Sequence, residues 1–385
     1  MATTGSPRLL TVEELPSLFH DLKPVPQDDG PNPVCQIDYS PAFTAAYDYL
    51  RAVLRTNEQS PRALQLSHLC LTLNPANYTV WHFRRLCLRA ISSTSLTTGS
   101  STTSSATAVQ HQTDPALIQS DLELAAALGG TNPKNYQLWY HRRALLEQVV
   151  DTDTLLADYL PAELDYIHSV LQQDGKNYHA YSHRQWIVKA VNDKDVWNRE
   201  LDFCDALIQA DPRNNSAWNQ RWFAVHHAAS RPTQTSLDLV TAVQEIDYAI
   251  AGARLDPCNE SPWRYLIGLV REQVYNTTNN NNDTNTNTAT AMDTLLTTCI
   301  DKTLSVRAVL QEAGRDPATC SNLSSALVDL LEFQASVPAL EQAVVLADGL
   351  AEEYDLIRKT YWRMRSKQIQ QALVVVVEAA AAVPE

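Results

Sequence analysis

Residues 133–143 read PKNYQLWYHRR, and their signature returns four times elsewhere in the chain. The other copies are NYTVWHFRR from Asn77, NYHAYSHRQ from Asn177, NNSAWNQR from Asn214 and NESPWRY from Asn259. Each has an Asn, an aromatic four residues on, and in four of the five an Arg three residues beyond that ring. The rings are Trp81, Trp139, Tyr181, Trp218 and Trp263, at intervals of 58, 42, 37 and 45 along the chain. A second register runs ahead of them. Glu163, Glu200 and Glu245 precede Tyr181, Trp218 and Trp263 by one constant offset, and each opens a Glu-Leu/Ile-Asp triplet. Asp174, Asp211 and Asp256 follow those glutamates by another constant offset, with Asp121 and Asn132 at the matching places before Trp139. Self-similarity at this period marks a repeat architecture.

Each repeat reads as a helical hairpin. Leu164, Ile167, Val170 and Leu171, then Leu201, Cys204, Leu207 and Ile208, follow i, i+3, i+6, i+7 spacing, one face of a helix. The Asp/Asn stretch ends that first helix. The repeated Asn caps the second, because its side chain accepts from the orphan N–H groups of the first turn. Pro133, Pro212 and Pro257 fill the connector, and Pro262 falls in a first turn, where its missing N–H costs little. One hairpin cannot bury both its faces, so the units must stack into an all-α, right-handed α-α solenoid, a superhelix of hairpins. The repeated rings are expected to pack between repeats. The arginines of the second helices (Arg84, Arg85, Arg142, Arg143, Arg184 and Arg221) are expected to pair with carboxylates of the neighbouring repeat. A basic stripe that attracts phosphate is the other use for them.

Composition narrows the function. The 385 residues carry 30 Lys+Arg against 44 Asp+Glu, a net charge of −14, which argues against a general nucleic-acid binder. Ten glycines agree with helices rather than many-turned β structure. Seven cysteines at 35, 70, 87, 204, 258, 299 and 320 include no C-x-x-C pair, so reduced, mostly buried thiols in a cytoplasmic protein are expected rather than a disulfide scaffold or a cysteine zinc site. The N-terminus lacks a secretory pattern, and no apolar run is long enough to insert in a membrane. Residues 1–38, proline-rich, form an extended arm, and 39–370 the repeat domain. The Ser/Thr insertion near 92–113 and the Asn/Thr insertion near 276–292 are too polar to offset ordering entropy and should be disordered loops. Residues 371–385 form an apolar tail, either the end of a buried helix or a frayed end.

Three features bear on chemistry. His179 and His183 lie four apart on one helix, a spacing that can bind zinc, but with no H-E-x-x-H context and no third ligand in view. Lys134 and Lys176 each precede a helix-start Asn, beside the positive end of a helix dipole, where a cation is unfavourable unless an anion arrives. No nucleophile elbow, P-loop or dinucleotide fingerprint is present, so the chain is not a complete enzyme by its own motifs.

The motifs resemble those of protein prenyltransferase α subunits, with the closest likeness to the subunit shared by protein farnesyltransferase and geranylgeranyltransferase type I. The repeats carry it, and DGPNPVCQIDYS, YDYLRAVLRTNEQSPRALQL, VWNRELDF and IRKTYWRM agree, from about Asp28 to Arg365 outside the two insertions. The resemblance implies a crescent of hairpins around a separate β subunit, which holds the catalytic zinc, with magnesium also expected through that subunit and no cofactor bound by this chain. It implies transfer of a farnesyl or geranylgeranyl group from its diphosphate to the cysteine of a C-terminal CaaX protein. Lys134 matches the lysine that reaches the diphosphate. Gln137 matches the glutamine that holds the terminal carboxylate of the CaaX peptide. Tyr178, with Asn177 and His179, matches the segment at the diphosphate end of the pocket, and Tyr136 matches an aromatic near the substrates. Tyr181 departs from the repeat's Trp and puts local packing there in question. A non-catalytic tetratricopeptide scaffold is the alternative. Repeats of that type have a period of about 34 residues. The intervals here are 37 to 45 outside the longest.

Overall fold

The computed structural model describes residues 9–97, 113–130, 132–149, 153–228, 236–279 and 286–381. The described residues are helical, without strands. They fall into two compact units, 1–191 and 192–385. The first holds α1 (Leu15–Leu18), α2 (Pro41–Thr56), α3 (Pro61–Leu73), α4 (Tyr78–Thr97), α5 (Pro115–Gly129), α6 (Tyr136–Leu146), α7 (Asp153–Gln173) and α8 (Tyr178–Val191). The second holds α9 (Lys194–Ala210), α10 (Asn215–Ala228), α11 (Leu239–Leu255), α12 (Glu260–Asn279), α13 (Thr286–Glu312), α14 (Ser321–Gln334), α15 (Val337–Gly349) and α16 (Lys359–Ala381). Neighbours α3/α4, α5/α6, α7/α8, α9/α10, α11/α12 and α13/α14 pair as hairpins, and within each unit the second helices stack on one another. This is the α-α solenoid that the repeats predict.

The connector inside each hairpin is built one way five times. Asn74, Asn132, Asp174, Asp211 and Asp256 each accept, through Oδ1, the N–H two residues on. Their carbonyls accept the N–H of the repeat Asn three residues on. That Asx turn ends the first helix and aims the second. The repeat Asn then caps the second helix: Asn135 Oδ1 accepts from Gln137, Asn177 Oδ1 from His179 and Ala180, and Asn259 Oδ1 from Ser261.

The signature ring bonds to its own connector. Trp81, Trp139, Trp218 and Trp263 donate Nε1–H to the carbonyls of Pro75, Pro133, Pro212 and Pro257 at 2.8–2.9 Å. Tyr181 reaches the equivalent Gly175 carbonyl through its hydroxyl at 3.3 Å, so the change from Trp preserves the bond. The next repeat's Asn donates to the same carbonyl: Asn135 to Pro75 (2.8 Å), Asn177 to Pro133 (3.3 Å) and Asn259 to Pro212 (2.7 Å). One carbonyl thus ties a hairpin to itself and to its successor.

The second register is a row of buried carboxylates. Asp121, Glu163 and Glu245 receive the guanidinium of the preceding second helix: Arg84 (2.8 Å), Arg142 (2.9 Å) and Arg221 (2.7 Å). They also bind a group 20 residues on in their own hairpin, His141 (2.8 Å), His183 (2.7 Å) and the Tyr265 hydroxyl (2.6 Å). Glu200 takes Gln220 Nε2 at 2.7 Å in the same place. The expected pairing between neighbouring repeats is therefore what these three arginines do. Burial keeps His141 neutral, so its Nε2–H donates to Asp121 while Nδ1 accepts from Arg85.

Four expectations need correction. The arm is not loose throughout: residues 12–18 form helical turns, and Leu15 and Phe19 are fully buried beside α2 and α3, where Arg62 binds Asp21. The insertions start later than composition suggests. α4 continues to Thr97, with Ser92 buried, donating to the Leu88 carbonyl and accepting from the Asp114 N–H. Likewise α12 and α13 run into the Asn/Thr tract. Tertiary contact holds a helix where propensity is poor, as the buried Ser92 against Asp114 at the start of α5 shows. The remainder of both tracts lies outside the described residues. The tail is a helix end buried only on one side: α16 reaches Ala381 with Leu373 and Val376 packed against the core and Val374, Val375 and Val377 exposed. Finally, Cys258 and Cys320 form a disulfide, 62 residues apart in sequence. Local spacing could not reveal it, because stacking of successive connectors brings them together. Cys70, Cys87, Cys204 and Cys299 are buried thiols as expected, and Cys35 is exposed.

The connector and the carboxylate row can be tested separately. Asn259→Ala loses both the cap on α12 and the bond to Pro212, and urea unfolding should show a loss of about 2–3 kcal/mol. Asn259→Ser keeps the cap and should recover about half. The second test concerns acid. Burial alone would raise Glu163, but Arg142 and His183 outweigh it and hold the carboxyl at about 2, against 4.5 ordinarily. Asp121, likewise buried beside Arg84 and His141, sits at about 2 against 3.8. Their folded pKa values are depressed, so their stabilisation is complete above the ordinary values and lost as pH falls toward 2. Melting temperature should start to decline below about pH 6.5, where the unfolded chain protonates His141 and His179 and the folded one does not, and fall more steeply between about 4.5 and 2 as the carboxylates titrate. Glu163→Gln should flatten that fall while costing about 3–5 kcal/mol at neutral pH, because Arg142 is left buried without its counter-charge.

Candidate functional site

In the first unit, the starts of α6 and α8 adjoin, and they gather all the residues that the sequence singles out. Asn135 and Asn177 set both helix starts, and the bond from Asn177 to Pro133 fixes one against the other. Tyr136 follows the first cap and Tyr178 the second. Their rings meet edge to face at 5.9 Å. The His179 ring packs at 4.2 Å from Tyr136 and 4.0 Å from Tyr178. Lys134 lies on the connector just before this cluster, and Gln137 is half-buried one residue past Tyr136.

Availability separates these residues. The Lys134 side chain is 66% exposed, and Tyr136 and Tyr178 are 65% and 51% exposed, so all three can meet a ligand. Asn177 is buried, with its amide oxygen and nitrogen engaged, so it acts by holding Tyr178 in place rather than by facing a ligand. His179 is also buried, and its Nε2 has no hydrogen-bond partner among the described residues. Burial lowers its pKa, against a backbone hydrogen bond with Lys134, so the ring is neutral at pH 7. Desolvation and the Tyr136 hydroxyl push the Tyr178 phenol up to about 12, so it remains a neutral donor.

The anion-site reading changes in one respect. Several helix-start N–H groups are not free: the Asn caps take those of Gln137, His179 and Ala180, and Asn132 and Asp174 take those of Lys134 and Lys176. The side chains open to an anion are the exposed Lys134 and Lys176 and the phenols of Tyr136 and Tyr178. Lys134 also has a partner that sequence reasoning missed. Its Nζ is 3.1 Å from Asp174 Oδ2, at the next connector. Asp174 was visible only as a register mark, because nothing local relates it to a lysine one full repeat upstream.

The His179/His183 pair does not make a metal site. His183 Nε2 is committed to Glu163, and no group of three potential ligands occurs among the described residues.

The repeats recur in known proteins. The protein prenyltransferase alpha subunit repeat matches residues 60–91, 118–149, 160–191 and 197–228. The chain is 34% identical to the protein farnesyltransferase/geranylgeranyltransferase type-1 subunit alpha of Dictyostelium discoideum over 358 residues, 93% of this chain and 94% of that protein. It is 35% identical to the subunit of the same description from Solanum lycopersicum over 354 residues, 92% of this chain and 90% of that one. Its fold matches a chain in the structure of Candida albicans protein geranylgeranyltransferase-I complexed with GGPP, with a TM-score of 0.63 at 22% identity, covering 91% of this chain and 98% of that chain. The repeats, their bonded connectors and a likeness that runs nearly the full length of two such subunits lead to one assignment: the chain belongs to the protein prenyltransferase α-subunit family.

Proposed function

We propose that this chain is the α subunit of a heterodimeric CaaX protein prenyltransferase, which transfers a farnesyl or geranylgeranyl group from the prenyl diphosphate to a C-terminal cysteine. The observation that carries the reading is the exposed Lys134 ammonium beside the exposed Tyr136 and Tyr178 hydroxyls, in a chain that matches such subunits along 93% of its length. As the prenyl–oxygen bond breaks, negative charge builds on the departing diphosphate. A cation and neutral donors held in place before the reaction stabilise that charge more than water does. Gln137 would hold the carboxylate of the acceptor peptide, whose charge does not change during transfer.

The partner is a β subunit, and the metals expected for the reaction, zinc and magnesium, are assigned to it. The His179/His183 pair does not fit a zinc ion, since His183 is committed to Glu163. A scaffold of tetratricopeptide type is disfavoured by the repeat lengths and by the family to which the chain belongs. No described helix is long and apolar enough to cross a membrane. We place the enzyme in the cytoplasm, in keeping with five cysteines held as free thiols. The Cys258–Cys320 pair is the feature that runs against that placement.

With a β subunit in place, Lys134→Ala should lower the single-turnover rate roughly a hundredfold, on the order of 3 kcal/mol, with peptide affinity held. Gln137→Ala should instead raise the KM for the acceptor peptide and leave the single-turnover rate near its original value. A Lys134→Ala heterodimer that turns over at the original rate would refute the role given to this lysine.

A further inference from the structure

The acidic residue that opens a connector has a second use in two of the repeats. Its Oδ1 holds the connector's own turn, while Oδ2 reaches the cation just before the previous repeat's Asn. Asp256 Oδ2 takes Arg213 through Nε and a terminal nitrogen, both at 2.7 Å. Asp174 Oδ2 meets Lys134 Nζ at 3.1 Å, a single contact. The Lys134 ammonium holds the Asp174 carboxyl below its usual range, so the pair is charged at neutral pH. The cation that the proposed function gives to the diphosphate is thus already engaged by a carboxylate of its own chain.

The two partners differ in freedom. Asp174 is fixed, since its Oδ1 accepts from Lys176 N and its carbonyl from Asn177 N. Lys134 ends a flexible four-carbon stem and carries three donors. A diphosphate brings more charge and more acceptor oxygens than one carboxylate, and the Tyr136 and Tyr178 hydroxyls lie at the same helix starts to share it. We propose that Asp174 is a positioning residue: it restrains Lys134 in the free enzyme and yields it when a diphosphate arrives, so that the ion pair is exchanged rather than an idle lysine recruited. This rests on Lys134 being the diphosphate contact.

Affinity of the heterodimer for inorganic pyrophosphate tests the exchange, compared among wild type, Asp174→Asn, Lys134→Ala and the double variant. Asn retains the Oδ1 acceptor that the connector needs, as Asn132 does at the same place. Asp174→Asn should tighten pyrophosphate about two- to fivefold, the range that releasing an exposed ion pair supports. Lys134→Ala should weaken it, and in that background Asp174→Asn should change nothing. Equal or weaker binding by Asp174→Asn overturns the exchange while leaving the Lys134 assignment standing. The same tightening in both backgrounds also overturns it, because the effect is then plain charge repulsion. Unchanged affinity in Lys134→Ala removes the assignment itself and the exchange with it. Asp256→Asn, which releases Arg213, a cation that the proposed function does not give to the diphosphate, should leave pyrophosphate affinity as it was.

Discussion

The connector carbonyl at the residue two before each repeat Asn is the point on which the stack depends. It is a strong acceptor at a helix boundary, where no intrahelical donor reaches it, and a buried carbonyl must be paired. The ring of its own hairpin takes it from one side and the amide of the next repeat's Asn from the other, at Pro75, Pro133 and Pro212. The rise from one hairpin to the next is set by that shared acceptor. The buried carboxylates act as a second tie between the same helices. Arg84, Arg142 and Arg221 would be costly to bury alone; Arg84 and Arg142 take their counter-charge from the next hairpin's Asp or Glu, and Arg221 takes Glu245 of the next hairpin besides Asp205 of its own. Two polar ties, each completed only by a group of the next hairpin, give the array a fixed register that apolar packing alone would leave degenerate.

Much of this was legible in the sequence because both ties sit at constant offsets. The Asn-to-ring and Glu-to-ring spacings each mark a bond that recurs, so repetition exposed them. What recurs only once was invisible. The bond from Asn322 to the Cys258 carbonyl extends the stack to α14, where no Asn-x-x-x-Trp signature stands. The Cys258–Cys320 pair and the burial of Leu15 and Phe19 are likewise products of tertiary proximity, without a periodic trace. Tyr181 shows the converse. The residue changed and the periodicity weakened, yet its hydroxyl keeps the bond to Gly175.

The candidate site is a by-product of the same stacking. Two Asn caps fix the starts of α6 and α8, the amide of Asn177 reaches back to Pro133, and the residues after each cap then share one face. Resemblance supplied the candidates, but only geometry sorted them into exposed groups that can meet a ligand and buried ones that hold those in place. It also revealed that the caps take several of the helix-start N–H groups. Side-chain cations therefore carry much of what a ligand would meet, and that of Lys134 is not idle.

The most direct measurement is a structure of the heterodimer with a non-reacting prenyl diphosphate bound. The account predicts Lys134 Nζ within about 3.2 Å of a diphosphate oxygen, with the Tyr178 hydroxyl turned to the same group. A diphosphate held wholly by the β subunit, with Lys134 still against Asp174, would contradict it.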